Sequence, residues 1–135
     1  MRRNHLLALF AGLLLAGCSG TEVASFTVDA EHSVTVMVYQ DWPWSERQLD
    51  VVVQGLPDCQ RRYPLTALGA SKKAMPLHRF DENQYAMRVG KKPYLFDVKT
   101  CEVTLFNEIP GLTDDNLEGR FTWMQGEFGF IPAKK

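Results

Sequence analysis

Apolar and polar residues alternate with a period of two along most of the chain after residue 23. Phe26 and Val28 alternate with Ser25 and Thr27, and Val34, Val36 and Val38 with Thr35, Met37 and Tyr39. Leu49, Val51 and Val53 repeat the pattern against Gln48, Asp50 and Gln54. Successive side chains of a strand point to opposite faces, so each run predicts a half-buried antiparallel strand rich in β-branched residues. Gly55-Leu56-Pro57-Asp58 supplies the turn that ends the third run. Tyr63-Pro64-Leu65 predicts an edge strand, because Pro64 has no N–H to give to a ladder. The rest of residues 60–79 is poorly patterned. Thr66 is placed to cap a short helix through Ala74, with Gly69 inside it and Pro76 soon after.

Alternation resumes at Tyr85, Met87 and Val89, with Gln84 and Arg88 outward, and Gly90-Lys91-Lys92-Pro93 predicts a turn. Tyr94 to Phe106 reads as one long strand whose buried phase slips. Phe96 and Val98 share a parity, whereas Cys101, Val103 and Leu105 share the other. Either a bulge near Lys99 and Thr100 absorbs the slip, or the strand is central and buried on both faces. Thr113 to Gly119 predicts one helical turn, with Thr113 as cap, acids in its first turn and Gly119 at its exit. Phe121 and Trp123 open a last strand, and Phe128, Phe130 and Ile131 close the chain. Together these elements predict an all-β fold, an antiparallel β-sandwich or small barrel of about 7–8 strands with at most one or two short helical turns. An immunoglobulin arrangement is not indicated: no Trp lies between Cys59 and Cys101, and no Tyr stands two residues before Cys101.

The first twenty residues follow another rule. Met1-Arg2-Arg3-Asn4-His5 is cationic, and Leu6 to Ala16 is apolar and uncharged. Leu15-Ala16-Gly17-Cys18 then places small residues before a cysteine. That order is a secretory signal. As a helix the stretch from Leu6 to Gly17 is about 18 Å long, too short for a hydrocarbon core of ~30 Å. Residues 15–18 resemble the lipobox of bacterial lipoproteins. The resemblance implies lipid on the Cys18 thiol, cleavage before Cys18 and acylation of the new N-terminus. Ser19 is not the Asp that the enterobacterial sorting rule associates with inner-membrane retention, so the same resemblance favours the outer membrane, facing the periplasm. The expected organisation is a signal peptide over residues 1–17, the lipidated Cys18 with a short tether through residue 24, and a single β domain over residues 25–135.

Removing residues 1–17 takes Arg2 and Arg3 with it, so Lys plus Arg falls from 15 to 13 against 16 Asp plus Glu, a net −3. A surface so balanced argues against nucleic acid and against a polybasic membrane patch. The 118 residues left fit one core. With Cys18 committed to lipid, Cys59 and Cys101 have one pairing open to them in an oxidising compartment. Closing that loop stabilises the fold by about 4 kcal/mol on the chain-entropy estimate. A redox-active or metal-binding pair would instead call for Cys-x-x-Cys or adjacent histidines, and the sequence has neither.

Catalytic chemistry is not expected. Ser33, His78 and Asp81 offer the residue types of a triad, but no Gly-x-Ser-x-Gly elbow accompanies them, and His32 and His78 read as surface or hydrogen-bonded histidines. No cofactor motif and no metal site is indicated. Asp114, Asp115, Asn116 and Glu118 lack the spacing of an EF-hand loop, and the capped turn accounts for them. Met37, Met75, Met87 and Met124 with His78 contain soft ligands but are dispersed, which suits core filling better than Cu(I). Lys72, Lys73, Lys91 and Lys92 form two basic tips, with Arg61 and Arg62 elsewhere; such charges are solvated, protect edges or meet lipid head groups. The best binding candidate is Asp41-Trp42-Pro43-Trp44-Ser45, between two strands. Its indoles either fold back over the end of the sandwich or present a rigid contact surface. The expectation is a membrane-anchored, non-enzymatic protein that binds or supports an envelope protein assembly. The alternative is a small-ligand module, for glycan or lipid, built on the Trp42/Trp44 loop.

Overall fold

A computed structural model describes residues 20–66, 68, 69 and 72–134. β1 (Glu22–Thr27), β2 (His32–Tyr39), β3 (Gln48–Gly55) and β4 (Cys59–Pro64) form a four-stranded sheet in chain order. The second sheet contains β5 (Met75–Asp81), β6 (Gln84–Val89), β7 (Lys92–Asp97), β8 (Glu102–Leu105), β9 (Leu117–Met124) and β10 (Glu127–Pro132), in the order β10-β9-β5-β6-β7-β8. Every pairing is antiparallel. The alternating valines of β2 and β3 meet Leu77, Tyr85, Met87, Phe96 and Phe121 of the other sheet in one buried cluster. The chain is thus an all-β sandwich. Its strands number ten rather than seven or eight, and the 3-10 turn Asp114–Asn116 is the one helical element among the described residues.

Four sequence expectations are corrected. Tyr94 to Phe106 is not one strand with a bulge, nor a central one: it folds back on itself as β7 and β8, with β8 at the sheet edge. Asp97 Oδ1 accepts hydrogen bonds from the backbone N–H groups of Lys99 (2.9 Å) and Thr100 (3.1 Å), and Cys101 takes φ 59°, which turns the chain and accounts for the parity slip. Residues 60–79, expected to be irregular after the edge strand, contain β5 in the interior of the sheet; Pro76, paired with Arg120, disguises it. No helix occupies the described part of 65–74. Third, the helical turn ends at Asn116, and Gly119 lies within β9, where an added Cβ would collide with the Ile131 carbonyl and the Phe130 ring. Thr113 is the N-cap, as expected, and Asn116 Oδ1 accepts from its N–H at 2.9 Å as the return half of a capping box. Finally, Glu22 to Ala24, assigned to the tether, already pair with Val38 to Val36.

The sandwich is closed differently along its two flanks. Beside β4 and β8, a disulfide joins Cys59 to Cys101, and the Tyr63 hydroxyl donates to the Cys101 carbonyl at 2.9 Å. Gly55 is needed there, because a Cβ would collide with the Val98 carbonyl. Beside β1 and β10, aromatic rings do the work: Phe26 lies 5.1 Å from Phe130 and 5.3 Å from Tyr85. Trp123 completes that seam by donating from Nε1 to Glu22 Oε2 at 3.0 Å. Asp50, on the outer face of the four-stranded sheet, is the one buried charged residue among those described. Arg62 Nε donates to it at 2.6 Å, and the Tyr39 hydroxyl lies 3.3 Å from its other oxygen.

Registers decide which connections share an end. Glu22 pairs with Val38 and Tyr39 with Gln48, so the start of β1 and the 40–47 loop lie together. Leu68 donates to the Arg47 carbonyl and Lys92 Nζ lies 3.5 Å from Thr66 Oγ1, which bring Thr66, Leu68 and the β6–β7 turn to the same end. The β9–β10 turn joins them through the Trp123–Glu22 bond, and the end of β8 through the Phe106 N–H to Pro93 carbonyl bond. The β1–β2, β3–β4, β5–β6 and β7–β8 turns and the 3-10 turn lie at the other end.

Candidate functional site

The connection between β2 and β3 is short and internally bonded. The Ser45 N–H donates to the Trp42 carbonyl at 3.0 Å, closing a β-turn with Pro43 at its second position, where a fixed φ suits the turn. Ser45 Oγ donates to that carbonyl at 2.8 Å and lies 3.1 Å from the Trp42 nitrogen, from which it accepts. Gln40 Nε2 spans the base of the loop to the Ser45 carbonyl at 2.7 Å. On this frame the two indoles stack, with centroids 5.8 Å apart and planes within 14°. Trp42 is 62% exposed and Trp44 83%. Of the two arrangements open to the loop, the rings take the outward one.

What they offer is a rigid, amphipathic surface that loses little conformational freedom on contact. A groove of about 360 Å³ runs beside Trp44, lined by Gln40, Ser45, Glu46, Arg47 and Gly69. Arg47 ties this loop to the body of the protein: its carbonyl accepts from Leu68, and its guanidinium lies 5.8 Å from the Trp123 ring centroid. Neither Arg47 nor Trp123 stood out in the sequence, because nothing local announces that β9 ends against the start of β1.

The remaining candidates separate. Cys18 lies outside the described residues. Cys59 and Cys101 are joined. Ser33 and His78 do not meet: Ser33 alternates with buried Val34 and faces out of one sheet, and His78 alternates with buried Leu77 and faces out of the other. His32 Nδ1 lies 2.8 Å from Asp29 Oδ1, which also accepts from the N–H groups of Glu31 and His32 and so locks the β1–β2 turn. The Glu31 N–H, and after it the His32 ring, hold the Asp29 carboxyl below its ordinary pKa. His78 is neither free nor hydrogen-bonded at Nδ1, which is buried without a partner. Burial, and after it the charges of Arg88 and Arg120, lower its pKa against the opposing pull of Asp114.

Met75 and Met87 are core residues, whereas Met124 is exposed at the β9–β10 turn. Asn116, one of the four oxygen ligands weighed for Ca²⁺, spends its side chain on Thr113 and Gly111. Among the described residues no three His, Cys, Asp or Glu side chains are grouped to hold a metal ion. Comparison with protein-family models, with curated proteins and with solved structures finds no match.

Proposed function

We propose that the chain is a non-catalytic lipoprotein of the bacterial cell envelope. In this reading lipid on Cys18 holds it at the outer membrane, facing the periplasm, and the stapled sandwich supports an envelope protein assembly. The observation that carries the reading is the pair of stacked, exposed indoles on an internally bonded turn, at the end of the sandwich where β1 begins. A loop built this stiffly is a contact surface rather than a lid. With β1 starting at Glu22, only Ser19, Gly20 and Thr21 separate Cys18 from the sheet, a reach of about 10 Å. The domain then works beside the bilayer and not at a distance from it.

Two measurements test this. The wild-type protein takes up a palmitate analogue during growth and Cys18→Ala does not; an unlabelled wild-type product that retains Cys18 contradicts the anchor. A photoreactive amino acid in place of Trp44 captures a neighbour in intact cells; no adduct of any kind contradicts the contact surface. The groove beside Trp44 supports a second reading, a small-ligand module, since its volume lies in the range of small-molecule sites. Saturable binding of a soluble glycan, lost in Trp44→Ala, would favour it.

A further inference from the structure

Eight large apolar side chains stand exposed among the described residues, and six of them are at the end where β1 begins: Val23, Trp42, Trp44, Leu105, Phe106 and Met124. Only Leu56 and Phe80 are at the other. Lys72 and Lys73, just before β5, and Lys91 and Lys92, at the β6–β7 turn, lie exposed at the same end as the six. The opposite end has an acidic excess, with Asp29, Glu31, Asp58, Asp81, Glu82 and Asp115 in or beside its turns against Arg79 and Lys99. The molecule is therefore polarised along its strands, apolar and lysine-bearing at one end and anionic at the other.

We propose that the end bearing Trp42, Trp44 and the four lysines is a membrane-contacting face, which seats its indoles among phospholipid head groups. This deepens the lipoprotein reading and rests on it. A tether of three residues holds that end within about 10 Å of the lipid on Cys18, so the bilayer is its nearest neighbour. Indoles partition to the membrane–water interface, where the ring is half desolvated and its N–H stays wet. Lysines near an anionic leaflet each strengthen partitioning about fivefold. Glu22, Asp41, Glu46 and Glu127 share the end, so the surface is amphipathic rather than polybasic and the indoles carry most of the contact. The acidic end is repelled by the same lipid and faces the aqueous side.

The test uses lipidated protein in vesicles of phosphatidylethanolamine and phosphatidylglycerol with brominated acyl chains. Bromine quenches indoles that reach the interface. The chain has three Trp residues, and Trp123 is seated between Phe128 and Arg47. Emission of the wild type falls to about one third of its value in unbrominated vesicles, the share left if two of three equal emitters are reached. Emission of the Trp42→Ala/Trp44→Ala variant does not change. Vesicle-bound protein whose loop indoles stay unquenched overturns the face and leaves the lipoprotein reading standing. A crosslinker at position 44 that captures a protein and no phospholipid does the same. Absence of palmitate at Cys18 overturns both.

Discussion

Trp123 and the Trp42–Trp44 pair lie at the same end of one small sandwich, yet their surroundings differ. Trp123 packs on Phe128 at 4.7 Å, donates to Glu22 and lies beneath Arg47. Trp42 and Trp44 touch each other and stand in the open, and the bonds that order their loop run through its backbone, Ser45 and Gln40. The contrast separates two uses of the same side chain. Where a ring closes the seam between β1 and β10, its area stabilises the fold. Where the backbone, Ser45 and Gln40 shape the loop without the rings, the fold gains little from the ring, and the ring is left for contact with something else.

The contrast is broken most forcefully from the seam side. Phe121 is fully buried and touches both Phe128 and Phe130, so Phe121→Ala should cost about 3–5 kcal/mol in chemical denaturation. A smaller loss would show that the aromatic seam is looser than its geometry. On the opposite flank, Cys59→Ser should cost about 2–4 kcal/mol and lower the melting temperature while palmitate labelling is unchanged. Trp123→Phe keeps a ring in place and removes the bond to Glu22, for a loss of about 1–2 kcal/mol, again read by denaturation.

How much of this was legible in the sequence depends on whether the signal is local. Val34, Val36, Val38, Leu49, Val51 and Val53 alternate cleanly and are buried as their parity predicts. Cys59 and Cys101 are joined, as expected from their being the two cysteines that follow the leader-like first eighteen residues. The Tyr94–Phe106 hairpin was missed because its reversal is made by one aspartate side chain and a positive φ at a cysteine, a residue that ordinarily signals nothing about turns. β5 was missed because Pro76 sits inside it. Trp42 and Trp44 were legible as a pair, whereas their outward placement was not, since it depends on how Arg47 pairs with Leu68 and Gly69 behind the loop. The gathering of Leu105, Phe106, Met124 and the lysines at one end follows only from strand registers, which no single stretch of sequence contains.

The pH dependence sharpens the contrast from outside the aromatic groups. The folded pKa of His78 is depressed below the ordinary value of about 6.5, so the unfolded chain takes up the proton first as pH falls. Stability is therefore undiminished above that value and declines as pH drops through 6.5 toward the folded pKa. His78→Gln should flatten the melting-temperature profile between about pH 7 and 5. Asp29 acts in a separate window: its contribution is present above its ordinary pKa of 3.8 and is lost as pH falls through the lower folded value. An unaltered profile in His78→Gln would mean that the buried Nδ1 is not what disfavours the acid form.

Indoles that serve contact are surplus to the fold. The most direct measurement is the unfolding free energy of Trp42→Ala/Trp44→Ala beside that of Trp123→Ala under the same denaturant. The double variant should stay within about 0.5 kcal/mol of the wild type, as exposed side chains do, while Trp123→Ala loses about 3 kcal/mol. A double variant destabilised as much as Trp123→Ala would mean that the rings close the end of the sandwich, and the contact surface would be no surface at all.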